Sequence, residues 1–264
     1  MQANYGLIGG LFGLLFGSAI NAMVWRIKVG RSWAKGRSEC PDCGHVLAPK
    51  DLVPVVSWVA LKGKCRYCHK RIQDHPIVEV VTALLFAISA AVLAPTTAVD
   101  VAMLVFWLGI LRLLIVLAVY DAKWMILPDK INYSFMGAAL TYSAVMAIIT
   151  QSPQVLCGAL QAGALAGGMF WLIVNGTRGR AMGGGDIKLA AGMGLLLGVQ
   201  ATAVALLLAF NVAAIVGLIM IIIKRRARST AIAFGPYLVG GTIVAFLWGR
   251  QIAQWYLELN GFFY

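Results

Sequence analysis

Two aspartates of this sequence stand where long apolar stretches begin or end. Asp121 follows one such stretch, and Asp186 opens another directly after three glycines at 183–185. A carboxylate at the edge of hydrocarbon is energetically costly, so an acid in this position is by default a functional candidate. Two carboxylates that approach closely do not both ionise easily, so one keeps a proton as a general acid while the other activates water. The pair therefore predicts hydrolysis of the kind that aspartic peptidases perform.

The ends of the two helices predict different roles for the two acids. The N-terminus of a helix favours negative charge and the C-terminus disfavours it, so Asp186 is expected to ionise more readily and Asp121 to hold the shared proton. An alternative remains open for each acid alone. Either could be an interfacial carboxylate that caps a helix or pairs with Lys123 or Lys188.

A second group of residues has the spacing of a metal site. Two Cys-x-x-Cys pairs are separated by 21 residues, and their members are Cys40, Cys43, Cys65 and Cys68. Two residues between paired cysteines let both sulfurs face one tetrahedral ion, which predicts a structural Zn²⁺ site with four thiolate ligands. Two disulfides or four free thiols are the alternatives, and a reducing compartment disfavours the disulfides. His45 and His69 follow the pairs directly and are expected to lie outside the ligand set.

The composition places these residues in a membrane protein. Hydrophobic residues make up 61% of the 264 residues, charged residues 12%, and the mean hydropathy is +0.83. About 20 apolar residues are needed to cross a bilayer. The sequence predicts an all-α integral membrane protein with a bundle of about eight transmembrane helices. The predicted spans are 5–24, 76–94, 99–119, 131–150, 155–174, 186–199, 201–223 and 233–255.

The basic residues predict how the chain crosses the membrane. Of the 22 Lys and Arg residues, 20 lie in four segments, at 26–75, 120–130, 175–188 and 224–230, and the alternate connections carry none. The positive-inside rule places these four segments in the cytoplasm and both termini outside. The net charge of +12 therefore marks a membrane face and needs no nucleic-acid partner, although anionic lipid is a possible partner. No small-residue cleavage site follows the first span, so we expect it to be retained.

Three regions follow from this organisation. Residues 1–24 are the first transmembrane helix, 25–75 are a cytoplasmic segment with the four cysteines, and 76–264 hold the core with both acids. Several other residues are expected to be structural. Arg112 is predicted to hydrogen-bond within the bundle and Cys157 to be a small core residue. Asp129 could either cap a helix or act near the active face, and Glu79 could be a charge at a helix start or take part in methyl transfer. Glycines four apart predict close helix packing at Gly6, Gly10, Gly163 and Gly167.

In order along nearly the whole chain, these residues resemble the type IV prepilin peptidase family. The matching features are Gly17-Ser18 with Asn21, the two cysteine pairs, Val53-Pro54 with Ser57-Trp58, Pro76 with Glu79, Asp121 with Leu127-Pro128-Asp129, Gly183 to Lys188, and Phe234-Gly235-Pro236. The Gly-x-Gly-Asp pattern also resembles presenilin-like intramembrane proteases.

The resemblance implies an enzyme of the bacterial inner membrane that removes the leader of prepilins or pseudopilins on the cytoplasmic side, with Asp121 and Asp186 as catalytic residues. Relatives with the cysteine segment commonly also methylate the new N-terminal residue with S-adenosylmethionine. The residues alone do not locate the donor site. His75 in place of Tyr, and Asp51 with Leu52 in place of Asn-Ile, depart from the family pattern and bear on the methyltransferase.

Three other functions are compatible with parts of the sequence. Paired acids could relay protons or bind a cation in a transporter or channel, but no inverted repeat is visible and both acids lie at one face rather than at the midplane. A presenilin-like protease would cleave other membrane proteins without needing a short cytoplasmic leader. A structural membrane scaffold would tolerate the loss of either acid.

Overall fold

The computed structural model describes residues 2–32, 36–72, 76–180, 182–224 and 232–259. Helices account for nearly all regular structure in these residues, which contain no β-strand beyond two isolated bridges. The α-helices are α1 (Gln2–Lys28), α2 (Val56–Ala60), α3 (Ile77–Leu93), α4 (Ala98–Trp124), α5 (Asp129–Ile149), α6 (Pro153–Gly176), α7 (Gly184–Lys224) and α8 (Gly235–Leu259), and a 3-10 helix covers Pro49–Asp51. His75 and most of the basic segment 224–230 lie outside the described residues.

Within the described residues, five helical stretches are long and apolar enough to cross a membrane. They are Asn4–Lys28, Ala98–Trp124, Asp129–Ile149, Pro153–Gly176 and Gly184–Ile223, and Ile77–Leu93 is a shorter apolar helix. The prediction of an all-α membrane protein is confirmed to this extent, whereas the number of eight crossings stays a prediction. Helix α7 contains one break, at Gly198, where φ is 72° and ψ is 177°. This break falls at the end of the sixth predicted span.

The first compact unit, Met1–Val116, is organised by α1 packed along α3. Its closest approaches occur at glycines four residues apart. A Cβ added to Gly13 would lie 2.6 Å from the Cα of Ala83, and one added to Gly17 would lie 2.5 Å from the Cα of Glu79. Gly6 and Gly10 have ordinary contacts, at 3.5 Å or more. The predicted packing at Gly6 and Gly10 is thus found against α3, and the closest approaches lie further along the helix, at Gly13 and Gly17.

The second compact unit, Leu117–Tyr264, is built around α7, which packs against α5, α6 and α8. The predicted close packing of α6 is confirmed, because Cβ atoms added to Gly163 and Gly167 would lie 3.0 Å from Leu195 and 3.1 Å from Ala191. The prediction for Cys157 is wrong. Its side chain is exposed on the outer surface of α6, where an apolar thiol suits a lipid-facing position.

Candidate active site

Asp121 and Asp186 line the same cavity in the second unit. The cavity has a volume of 370 Å³, and its wall includes the end of α4, the loop before α5, the glycine segment before α7 and the residues before α8. The two side chains belong to residues that are only 5% and 8% exposed. The structure thus brings together two acids that are 65 positions apart in the sequence.

Asp121 is held by the start of α8. Its Oδ2 accepts a hydrogen bond of 2.8 Å from the backbone N–H of Gly235. A Cβ added to Gly235 would lie 2.7 Å from this oxygen and 3.1 Å from the Asp121 Cγ. Only glycine therefore allows the backbone to approach the carboxylate so closely.

Asp186 is held by the first turn of its own helix. Its Oδ2 accepts a hydrogen bond of 3.0 Å from the Gly183 N–H, and the positive end of the helix dipole favours its charge. The neighbouring Gly185 packs against the loop after Asp121, because an added Cβ would lie 2.7 Å from the Leu127 Cβ. Gly184, in contrast, faces open space. The three glycines therefore differ in role: Gly183 donates to Asp186, Gly185 allows close packing on Leu127, and Gly184 has no close contact.

Asn132 of α5 fixes the glycine segment, and no sequence motif identifies this residue. This fully buried side chain donates a hydrogen bond of 3.2 Å from Nδ2 to the carbonyl oxygen of Gly185. Its Oδ1 is buried and has no hydrogen-bond partner in the described part of the chain. Asn132 lies three residues after Asp129, on the helix that follows the Leu-Pro-Asp turn. The sequence therefore places Asn132 near this turn but does not indicate that it binds Gly185.

Neither acid forms an ion pair among the described residues. Lys188 instead pairs with Asp129, with 2.6 Å between Nζ and Oδ1, and its Nζ lies 4.8 Å from the centre of the Tyr133 ring. The alternative in which Lys188 neutralises Asp186 is therefore not found. Because Oδ1 of each acid has no hydrogen-bond partner in the described ranges, the pair has two carboxylate oxygens available for a water and a peptide.

The four cysteines of the first unit form one cluster. Their Sγ atoms all lie within 4.8 Å of one another, and all four are free thiols, so the disulfide alternative is not found. Tetrahedral Zn–S bonds of about 2.3 Å place sulfurs roughly 3.8 Å apart. The Sγ atoms of Cys40 and Cys68 are 3.9 Å apart. The donors therefore fit Zn²⁺ in both number and spacing.

The two cysteine pairs have the same backbone geometry. In the first turn the Gly44 N–H donates to the Cys40 carbonyl at 2.9 Å, and in the second the His69 N–H donates to the Cys65 carbonyl at 3.0 Å. Gly44 and His69 occupy the same position and both have left-handed backbone angles, with φ of 69° and 57°. The backbone of His69 therefore closes the second cysteine turn. His45 stacks on Tyr67 with ring centres 3.6 Å apart, and neither histidine belongs to the cluster.

Asp51 connects the 3-10 helix to the second cysteine turn. It accepts hydrogen bonds of 2.6 Å from the Arg66 Nε and 3.1 Å from the Tyr67 hydroxyl. The Arg66 guanidinium holds the pKa of the Asp51 carboxyl below its usual range. This departure from the family pattern thus has a structural role beside the cluster.

Two family models match the chain. The bacterial peptidase A24 N-terminal domain matches residues 11–93, which include the cysteine cluster, and the type IV leader peptidase family matches residues 108–222, which include both acids. The chain belongs to the type IV leader peptidase family. It is a multi-pass bacterial membrane protein.

Several relatives in this family cover nearly the whole chain. The chain is 32% identical to the prepilin leader peptidase/N-methyltransferase of Aeromonas salmonicida (strain A449), over 94% of this chain and 92% of the relative. It is 33% identical to the proteins of that name from Bacillus subtilis (strain 168) and Pseudomonas aeruginosa, which it covers to 96% and 93%. No solved structure matches the chain. The family does not favour the transporter alternative.

Proposed function

We propose that this protein is a membrane endopeptidase that cleaves the leader from prepilins or pseudopilins and then methylates the new N-terminus. The observation that carries the peptidase activity is the cavity shared by Asp121 and Asp186. The substrate class and the second activity are supported by the relatives, which are named prepilin leader peptidase/N-methyltransferase.

The surroundings of the two acids support different catalytic roles. Asp186 lies at a helix N-terminus, so it carries the negative charge and acts as the general base. Asp121 lies near the C-terminal end of α4, where the helix dipole disfavours a charge, and we assign the proton to it although its Oδ2 also accepts the Gly235 N–H at the start of α8. Asp186 removes a proton from the attacking water while Asp121 protonates the carbonyl oxygen of the scissile peptide. When the resulting tetrahedral species collapses, the C–N bond breaks and the leaving amine receives a proton from the pair.

Methyl transfer requires a donor and an acceptor amine. S-adenosylmethionine supplies an electrophilic methyl group when bound; the S–CH₃ bond breaks, an N–CH₃ bond forms, the amine loses a proton and S-adenosylhomocysteine leaves. Cys40, Cys43, Cys65 and Cys68 would hold a structural Zn²⁺ that folds the segment around them, because this segment is too short and polar to build its own core.

The proposed organisation has three parts. Residues 1–24 form the first crossing, 25–75 form the cytoplasmic zinc segment, and 76–264 form the peptidase core. The break at Gly198 supports two crossings within α7. With α7 counted as two crossings, the seven long helices α1 and α3–α8 give eight crossings. The distribution of Lys and Arg supports a cytoplasmic active site in the bacterial inner membrane.

The test uses the purified protein in lipid vesicles with a prepilin and S-adenosylmethionine, and the product is read by intact mass. The proposal expects loss of the leader and the addition of one methyl mass to the mature chain. Cleavage without the added mass would remove the methyltransferase part. Failure to cleave several prepilins and pseudopilins would contradict the peptidase itself.

A further inference from the structure

The first unit contains a second cavity, which the peptidase reaction does not use. Its volume is 180 Å³, and it lies among the last turns of α1, the cysteine segment and the first turn of α3. Two aromatic side chains, Trp25 and Trp58, line it together with Asn21 and Glu79. A small aromatic cavity with a carboxylate in its wall suits a cation.

Glu79 is the acid of this cavity that is not held in an ion pair. Two other acids and two arginines also line it: Asp51 pairs with the lining residue Arg66, and Glu39 pairs with Arg31, which lies outside the cavity. The second lining arginine, Arg26, donates a hydrogen bond to the carbonyl oxygen of Gly36. Glu79 has no cationic partner among the described residues. Its hydrogen-bond donors in the described part of the chain are uncharged: the backbone N–H of Val55, at 2.5 Å, and the Ser18 hydroxyl.

The contact between Glu79 and Val55 also positions one aromatic wall. Val55 has φ of 60° and ψ of −51°, which is unfavourable for a β-branched residue. Such a conformation persists only where surrounding contacts fix it, and the Glu79 carboxylate provides one. Val55 caps α2, the short helix that presents Trp58 to the cavity. On the opposite side, Gly17 has no side chain and so allows Glu79 to approach α1 closely.

Asn21 provides an acceptor that lacks a donor. Its Oδ1 is buried and has no hydrogen-bond partner in the ranges that the structure covers. A buried unsatisfied oxygen is costly, and a bound group with N–H or O–H donors would remove that cost. The residue lines the same cavity as Glu79. Two independent features of the wall therefore point to a ligand that is cationic and also donates hydrogen bonds.

We infer that this cavity binds the methionyl sulfonium part of S-adenosylmethionine, an inference that rests on the methyltransferase activity proposed above. A sulfonium is a permanent cation without a proton to donate, so a carboxylate and aromatic faces are the groups that attract it. The ammonium group of the same part can donate to Asn21. Pockets that enclose a drug-sized ligand measure roughly 300–1,000 Å³, so a cavity of 180 Å³ is large enough for only a part of S-adenosylmethionine.

The cysteine cluster forms part of the wall through Cys40 and Cys65. Binding of the donor therefore depends on the folding of the zinc segment. This explains physically why a structural metal site and a methyl-donor site would occur in one segment.

Calorimetric titration of the full-length protein in nanodiscs tests the site. We expect Glu79→Gln to weaken S-adenosylmethionine binding about tenfold, and to weaken binding of the neutral S-adenosylhomocysteine much less. Glu258→Gln makes the same change on an exposed residue of α8 and should leave both affinities unchanged. Asn21→Ala provides a second variant that leaves the Val55 contact intact, and we expect it to weaken both ligands. Zinc content and prepilin cleavage show whether each variant is folded.

The outcomes separate the site from the proposed function. Folded Glu79→Gln and Asn21→Ala proteins that bind S-adenosylmethionine as tightly as Glu258→Gln would overturn the site, even if the wild type methylates. A wild type that cleaves prepilin but neither binds the donor nor methylates would overturn the methyltransferase activity and, with it, this inference.

Discussion

A single methyl group added at Gly235 should disable Asp121 without unfolding the protein. The Cβ of alanine would lie 2.7 Å from Oδ2 and 3.1 Å from both Cβ and Cγ of Asp121. These distances are shorter than van der Waals contact, so the carboxylate must rotate away. The rotation also breaks the 2.8 Å hydrogen bond from the Gly235 N–H.

The size of the effect follows from that hydrogen bond. Because Asp121 is the protonated member of the pair, the hydrogen bond joins uncharged groups and contributes about 0.5–1.5 kcal/mol. If Asp121 must keep its position in the transition state, losing this contribution lowers kcat/KM by roughly 2- to 10-fold. Gly240→Ala is the matched control, because Gly240 lies in the same helix and an added Cβ meets open space. Alanine there should keep full activity and gain a few tenths to about 1 kcal/mol in stability from helix propensity.

Initial rates of prepilin cleavage in vesicles, together with thermal unfolding midpoints, test this prediction. We expect Gly235→Ala to be folded and slow, and Gly240→Ala to be folded and active. A Gly235→Ala protein whose kcat/KM is within twofold of the wild type would refute the reasoning that this contact positions Asp121.

Three further predictions concern the glycine segment and the cysteine segment. Gly185→Ala should lower the unfolding midpoint and cleavage rate, because its Cβ would overlap Leu127, whereas Gly184→Ala should be tolerated; equal unfolding midpoints would contradict this. Cys40→Ser, or a strong chelator, should release one Zn²⁺ per chain by elemental analysis and lower the thermal midpoint; an unchanged metal content would exclude the four-sulfur site. The folded-state pKa of Asp51 is lowered, so its charge stabilises the fold above about pH 4, and this stabilisation is lost as the pH falls through the lowered pKa. The difference in unfolding midpoint between the wild type and Asp51→Asn should therefore be constant from pH 8 to pH 6.

Features that depend on local sequence were predictable. Apolar stretches of helix-forming length located the long helices, and the break within α7 occurs at Gly198, at the boundary between two predicted spans. The two Cys-x-x-Cys pairs were read correctly as one cluster, since the two-residue spacing fixes the geometry of each turn. Two acids at the same predicted membrane face do line one cavity.

Features that depend on contacts between distant segments were not predictable. Nothing near Asn132 indicates that it binds the carbonyl of Gly185, and nothing near Glu79 indicates that it holds Val55 in a left-handed conformation. The closest approaches of α1, at Gly13 and Gly17, could not be distinguished from those at Gly6 and Gly10, because several glycines share that helix and only the position of α3 distinguishes them. Cys157 was placed in the core because hydropathy does not separate a lipid-facing side chain from a buried one.

The most direct test of the central claim is prepilin cleavage by Asp121→Asn and Asp186→Asn proteins in vesicles, beside Asp100→Asn. Asp100 begins the same helix as Asp121, is exposed, and accepts hydrogen bonds from Thr96 and Thr97, so its variant controls for the loss of a carboxylate. We predict that both cavity variants fold, retain zinc and do not cleave, while Asp100→Asn cleaves normally. Cleavage at the wild-type rate by either folded cavity variant would contradict the account.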